Sequence, residues 1–277
     1  VFEFCDPRIM QIQRSTEEML NFRVMHHSLN FFAKCKRLSE TGYRLTQVFS
    51  RDRAKAQALA DTVGAVAINQ FSEIFPHTGL YLLAVRDDVI AETARRLLEA
   101  GVSEGLFAHT SGATPASILQ PYAKRFGIFY PLQTFSPQRM PDFSEIPVCI
   151  QASAPEDEIL LKSMAERIGK QAVSMGEQQR IALHVAAVFV NNFSNYLYRT
   201  GQRILEQENL DFELLLPLIR ETAEKVRHLP PEAAQTGPAV RGDEQTITRH
   251  LEYLRGMPEE SKLYEMFTKL IAASRTQ

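Results

Sequence analysis

Leu45-Thr46-Gln47-Val48-Phe49-Ser50-Arg51, followed by the alanine-rich stretch from Arg53 to Val63, is the part of the chain whose reading decides the fold. The first segment is apolar and β-prone and reads as a strand; the second reads as a helix. Just upstream, Leu38-Ser39-Glu40-Thr41-Gly42-Tyr43 has the form of a helix end closed by glycine, the residue that most easily takes the left-handed conformation needed there. Short helices and strands in alternation are the rhythm of a parallel sheet with crossover helices.

Outward from this unit the rhythm continues to about residue 150. Strands are expected at Phe22 to Met25, Arg44 to Phe49, Ala65 to Ile68, Gly79 to Val85, Gly105 to His109, Gly127 to Tyr130 and Val148 to Ala152. Tyr81-Leu82-Leu83-Ala84-Val85 is an unbroken apolar run, as a strand covered on both faces should be. Arg86-Asp87-Asp88 should cap a helix from Val89 to Ala100, closed by Gly101. Pro155 and the acids after it open another helix ending near Gly169, and Gln171 to Met175 offers one more strand. Beyond Gly176 the period is helical: Glu177 to Gln207, Phe212 to His228 and Glu259 to Ala273, broken by Pro230-Pro231 and Thr236-Gly237-Pro238.

The expected fold class is therefore α/β. A Rossmann-like, mostly parallel sheet domain should occupy residues 22–153, with a mainly helical domain for substrate binding and dimerisation over 154–277 and the change of period falling between 153 and 176. Residues 1–21 read as an extension, with a helix at Ser15 to Phe22 as the alternative.

Composition narrows the function classes. At 277 residues the chain is long enough for two domains. With 44% hydrophobic and 23% charged residues it has an ordinary globular composition. A net charge of −2 provides no long-range field to gather nucleic acid or anionic membrane. No uncharged apolar run approaches the roughly 18 residues of a membrane span. Cys5, Cys35 and Cys149 are scattered, which fits a reducing cytoplasm better than a disulfide framework or a structural zinc site. No segment has the spacing of a metal motif, a nucleophile elbow or a P-loop.

Several segments carry candidate chemistry. Ser50-Arg51 ends the second strand, where an arginine suits a ribose 2′-phosphate and an acid would suit a free hydroxyl; Arg51 and Arg53 thus favour NADP over NAD, or are simply exposed at a helix start. His109-Thr110-Ser111-Gly112 follows a strand, at the sheet edge where ligands of open α/β sheets bind; it is equally a capping turn with Ser111 or Thr114 as cap. Phe129-Tyr130-Pro131-Leu132-Gln133-Thr134-Phe135-Ser136 runs from an apolar strand into polar residues at the same mouth, or is an ordinary aromatic-lined loop. In the long helix His184, Asn191 and Asn195 fall within a stripe about 40° wide at about 100° per residue. Polar groups set among apolar neighbours need a polar cavity or each other, and a histidine beside a cleft can act as general acid or base. Finally, Glu232 to Asp243 combines fixed backbone with Gln235, Arg241 and Asp243, or is a surface loop capping a helix.

Taken together, Gln47 to Arg51, Ala84 to Asp88, His109 to Gly112, Phe129 to Ser136, His184 to Asn192 and Gln235 to Asp243 resemble a bacterial family. Its members join a Rossmann-like NADP-binding domain, akin to deazaflavin-dependent NADP oxidoreductases and pyrroline-5-carboxylate reductase, to a helical C-terminal domain of unknown function. The resemblance spans roughly residues 38 to 273. It implies a dimeric cytoplasmic NADP oxidoreductase acting on a small carbonyl, imine or hydroxyl compound between its domains. Many wider relatives use a lysine and an asparagine on the first C-terminal helix. Here no lysine lies between 171 and 224. By that analogy proton transfer passes to His184, with Asn191 or Asn192 orienting substrate. Arg51 would meet the 2′-phosphate beside Ser50, and Val85, Arg86, His109, Thr110 and Ser111 would line the nicotinamide side.

One segment departs from the family. Where a G-x-G-N-x-A pattern is expected the chain reads His26-His27-Ser28-Leu29-Asn30-Phe31-Phe32. Glycine belongs there because the backbone must approach a pyrophosphate closely, although Ser28 is small and a helix beginning at Asn30 would still attract an anion. Three readings stand. The site is degenerate, leaving a non-catalytic dimeric sensor or scaffold; or the nucleotide binds in an altered pose near His26 or His27; or residues from about 24 to 37 do not follow the native reading frame.

Overall fold

The structure, a computed structural model, describes residues 21–26, 38–76, 79–135 and 141–274. His27, Ser28, Leu29 and the helix expected to begin at Asn30 lie outside the described residues, as do Ser136 and residues 1–20 with their proposed extension.

The strands are β1 (Asn21–His26), β2 (Arg44–Ser50), β3 (Val66–Ile68), β4 (Leu80–Ala84), β5 (Leu106–His109), β6 (Arg125–Pro131), β7 (Pro147–Ala152) and β8 (Gln171–Ser174). They form one sheet in the order β3-β2-β1-β4-β5-β6-β7-β8. Every pairing is parallel except β6 with β7, where Gly127 to Pro131 meets Ala152 to Val148 in antiparallel register. The chain reverses between β1 and β4: β2 and β3 build outward on one side, β4 to β8 on the other. At such a switch point the carboxyl ends of the strands leave a crevice. The fold is thus the Rossmann-like, mostly parallel sheet followed by a helical region that the sequence pattern implies.

The crossovers follow from local chemistry. Helix α1 (Arg53–Val63) begins at Asp52, whose carboxylate accepts from the amides of Ala54 and Lys55, and ends at Gly64 with φ of 68°. Helix α2 (Ile90–Glu99) buries Ile90, Thr93, Ala94 and Leu97, an i, i+3, i+4, i+7 stripe. Its expected cap is different in the structure. A short 3₁₀ turn, Asp87–Val89, precedes it without a side-chain cap. Asp88 pairs with Arg86 at 2.6 Å, and the Asp87 carboxylate turns instead to Ser111. Helix α3 (Pro155–Ile168) starts on proline and three acids, matching the partial positive charge of a helix N-terminus.

Two apolar layers sandwich the sheet. One joins Leu45, Val48, Leu80, Leu82 and Phe129 to helices α1 and α3; the other joins Phe49, Tyr81, Leu83 and Phe107 to α2. The alternation of Leu80 and Leu82 with Tyr81 and Leu83 between the layers is the two-residue strand period. Every residue of β4 is buried, which is why its sequence is apolar without a break.

By contacts the chain divides into two compact units, 1–191 and 192–277. The first therefore includes β8 and helix α4 (Glu177–Ala187) along with the sheet. The second contains α5 (Ser194–Glu206), α6 (Leu216–Lys225), the short helices α7 (Pro231–Ala234) and α8 (Pro238–Arg241), α9 (Glu244–Tyr253) and α10 (Pro258–Ala273). Within it Arg203 pairs with the buried carboxylate of Glu260 at 3.1 Å. Thr236, Gly237 and Pro238 help line a largely apolar pocket of about 250 Å³ with Leu197, Leu263 and Phe267.

At Gly127 β6 packs closely against its antiparallel neighbour β7 and against α3. A Cβ there would lie 3.1 Å from Leu161 Cδ1 and 3.3 Å from Ala152 Cα, and closer still to the Gln151 carbonyl oxygen. Backbone on the neighbouring strand cannot yield cheaply, so Gly127→Ala is expected to lower stability by about 1–3 kcal/mol. Urea unfolding followed by circular dichroism checks this; an unchanged midpoint contradicts the packing described.

Candidate active site

The carboxyl ends of β4, β5 and β6 carry a connected polar cluster. His109 ends β5 and is fully buried. Its Nδ1 accepts from the Ser111 amide at 3.2 Å, and its Nε2 faces the Pro115 carbonyl at 3.3 Å. That pairing defines a neutral ring protonated on Nε2. Burial holds its pKa down at about 4, with the Arg180 charge helping and the Pro115 carbonyl and Asp87 opposing. His109 therefore shapes the turn; both its ring nitrogens are occupied there.

Ser111 is also fully engaged. Its Oγ donates to Asp87 at 2.7 Å, accepts from the amides of Ala113 and Thr114, and lies 3.0 Å from Thr114 Oγ1. It ties the β5 turn to the residues following β4. The expected helix cap at Ser111 or Thr114 is not formed: the short 3₁₀ helix Ala116–Leu119 has Pro115 at its N-cap and no side-chain cap, and Ser111 closes its own turn instead. Thr110 sits beside it, its amide bonded to Leu83.

Across from this turn lies α4. His184 Nδ1 is 3.2 Å from the Tyr130 hydroxyl, and the rings meet edge to face. Tyr130 is buried at the end of β6. Burial first, and the nearby Cys149 sulfur second, push its pKa up to about 12, so it stands as a neutral phenol. Both rings crowd Gly112: a Cβ there would come within 2.8 Å of Tyr130 Cζ and closer to His184 Nδ1. One helical turn before His184, Arg180 Nη1 donates to the Gly112 carbonyl at 2.6 Å.

The long helix is not uniform. Between α4 and α5, Val188–Phe193 is π-helical. Its wider turn rotates the downstream residues away from the stripe that a regular α-helix would give His184, Asn191 and Asn195. Asn191 and Asn192 lie on this π segment and are exposed, whereas His184 is half-buried.

The remaining candidates sit elsewhere on the sheet edge. Ser50 is buried and accepts from the Asp52 amide at 3.2 Å, holding the turn into α1. Arg51 is exposed and lines a pocket of about 560 Å³ with Asn69, Gln70, Ser72, Arg95 and Arg96. Val85 packs against the α2 layer, and Arg86 is exposed beside Asp88. From β2 to β5 is three strand steps, about 14 Å, so the Arg51 pocket and the His109 turn are separate places on the sheet.

Sequence reasoning did not single out Tyr130, Asp87, Gly112 or Arg180 as site residues. Tyr130 and Asp87 stand inside candidate segments, but their roles need the β4–β6 alignment. Arg180 follows Glu177-Gln178-Gln179 and looks like any solvated helix start. Among the described residues no cluster of potential ligands could hold a metal ion, and no helix is long and apolar enough to cross a membrane.

Residues 146–271 match the domain of unknown function DUF2520. Over 93% of its length the chain superposes on 99% of a Bacteroides fragilis protein named as a proposed NADP oxidoreductase, with TM-score 0.86 and 37% identity. This chain belongs to that family. A protein from Thermotoga maritima shares the fold at TM-score 0.76 and 21% identity, covering 92% of this chain and all of that one (100%). A pyrroline-5-carboxylate reductase from Coxiella burnetii shares it at TM-score 0.59 and 12% identity, covering 92% of this chain and 99% of that one. A sequence search of curated proteins finds no significant match.

His109 makes a specific contribution to acid sensitivity. In the unfolded chain it takes up a proton near pH 6.5, in the folded chain only near 4. Between those values the unfolded state binds more protons, so this contribution reduces stability as pH falls and is absent above about 6.5. The full effect is about 3 kcal/mol. In His109→Asn the loss of unfolding free energy between pH 6.5 and 4 should be smaller by that order; an identical pH slope in the variant contradicts the neutral buried ring.

Proposed function

We propose that this protein is an NADP-dependent oxidoreductase for a small carbonyl, imine or hydroxyl substrate. The observation that carries the reading is the Tyr130–His184 pair, poised over the Ser111–Gly112 turn at the carboxyl edge of a Rossmann-like sheet. A neutral phenol hydrogen-bonded to an imidazole can hold a proton and pass it on.

The residues present suit the cofactor at its adenosine end. The Arg51 pocket offers guanidinium and amide donors at the end of β2, where a 2′-phosphate would lie. When bound, NADPH supplies the hydride. The protein's own part is orientation and proton handling. Asp87, Ser111 and Thr114 fix the turn that the nicotinamide side would face, along with Val85, Arg86 and Thr110. Tyr130 and His184 deliver or remove the proton at the substrate heteroatom. Asn191 and Asn192 are assigned a lesser part, orienting substrate from the π-helical segment. The scattered thiols favour a cytoplasmic setting.

Dimerisation belongs to the same proposal. The helical unit leaves Leu214 64% and Leu218 63% exposed, with Leu216, Val226 and Leu270 also exposed, more apolar surface than a soluble monomer normally leaves in water. A second copy is the occupant proposed for it. A non-catalytic sensor or scaffold is favoured by one feature, His26-His27-Ser28-Leu29 in place of glycines.

Two substitutions test the reading. Arg51→Ala should weaken NADPH about 10- to 100-fold, the loss of a charge-assisted contact, while leaving NADH nearly unchanged; equal losses in fluorescence titration refute the 2′-phosphate role. His184→Ala should reduce turnover at least ~100-fold, the usual contribution of a general acid or base, with NADPH affinity kept. If it alters only stability or self-association, the non-catalytic reading gains.

A further inference from the structure

Arg180 is fully buried, and its charge is only partly matched. Nη1 donates to Gly112, but Nε and Nη2 are buried with no hydrogen-bond partner among the described residues. Removing a charge from water is strongly unfavourable unless its donors are satisfied, and each unmade hydrogen bond adds to the loss. The carboxylates of Glu177 and Asp87 are near enough for their charges to be felt, yet neither bonds to the guanidinium.

The geometry of the two idle donors is informative. Nη2 lies trans to Cδ, so Nε–H and Nη2–H project side by side along one edge of the planar group. That edge grips two oxygens of one anion at once. Nη1, on the other side, is already committed and fixes the plane. Arg180 is therefore held by a backbone carbonyl while its bidentate edge, though covered, has no hydrogen-bond partner, in the same cluster as Tyr130 and His184.

We propose that Arg180 receives a carboxylate of the substrate, placed next to the carbon that the Tyr130–His184 pair serves. This rests on the oxidoreductase reading and narrows it to a small oxo, imino or hydroxy acid. One guanidinium balances one negative charge, and Asp87 already adds another nearby. A singly charged carboxylate therefore fits better than a phosphate, which carries nearly two charges at neutral pH. Because Nε and Nη2 are shielded from water, the anion seats only as the side chains over them part, and its binding should stabilise the folded chain.

The test uses the full chain as wild type, Arg180→Gln and Arg180→Lys, with pyruvate, its neutral counterpart methyl pyruvate and inorganic phosphate as probes in calorimetry and thermal unfolding. NADPH is titrated separately. Wild type should bind pyruvate at least ~10-fold more tightly than either other probe, as a charge-assisted pair requires. Arg180→Gln should lose about 10- to 100-fold in pyruvate affinity with NADPH affinity unchanged. Arg180→Lys should recover part of it, since it restores the charge but not the fork. Pyruvate and methyl pyruvate binding alike, or neither binding, overturns the proposal, as does an Arg180→Gln variant that weakens NADPH as much as pyruvate. If both variants fail to fold, the wild-type comparison of pyruvate with methyl pyruvate decides. NADPH binding without carboxylate preference removes this proposal alone, whereas pyruvate binding without any NADPH binding removes the oxidoreductase reading.

Discussion

The site depends on how closely helix α4 approaches the turn after β5. Gly112 makes that approach possible: with no side chain, it lets the His184 and Tyr130 rings close over the backbone. Arg180 then fastens the helix through the Gly112 carbonyl. One helical turn separates Arg180 from His184, so both point at the same residue of the turn from one helix face. A side chain at Gly112 would part the imidazole from the phenol, and the cluster would lose its connection to the sheet.

Burial distributes charge unevenly across this cluster. His109 is kept neutral because burial disfavours its charged form and its ring nitrogens already have one acceptor and one donor. Tyr130 is kept neutral for a related reason at the other end of the scale. Asp87 keeps a strong donor in Ser111. Arg180 is the group for which burial and satisfaction disagree. Polar networks in a low-dielectric interior are favourable when complete and expensive when partial, so an incomplete one at the carboxyl edge of an α/β sheet is where a ligand contributes most.

The sheet order explains why the two candidate stations are far apart. β2 and β5 lie on opposite sides of the reversal at β1 and β4. Arg51 stands on one side with a pocket shaped by α2, and the His109 turn on the other with α4. The family relationship spans 93% of the chain, since the shared fold runs through sheet and helices alike.

The strands and crossover helices were legible in the sequence because period and punctuation are local properties. Leu45 to Ser50, Tyr81 to Ala84 and the Arg53 and Val63 bounds of α1 can each be read without knowing their neighbours. The His109-Thr110-Ser111-Gly112 turn could be picked out as a candidate for the same reason: it follows a strand and carries polar side chains. His184 was picked out as a candidate by its apolar surroundings, although the regular stripe linking it to Asn191 fails at the π-helical segment, which periodicity takes for ordinary helix. What only the tertiary structure decided is the company these residues keep. Asp87 read as part of a helix cap and became the acceptor for Ser111; Arg180, unremarked within the helical pattern from Glu177, is a buried guanidinium. Both outcomes depend on strand order and on the distance between α4 and β5, and such long-range proximity leaves no mark on the residues adjacent in sequence.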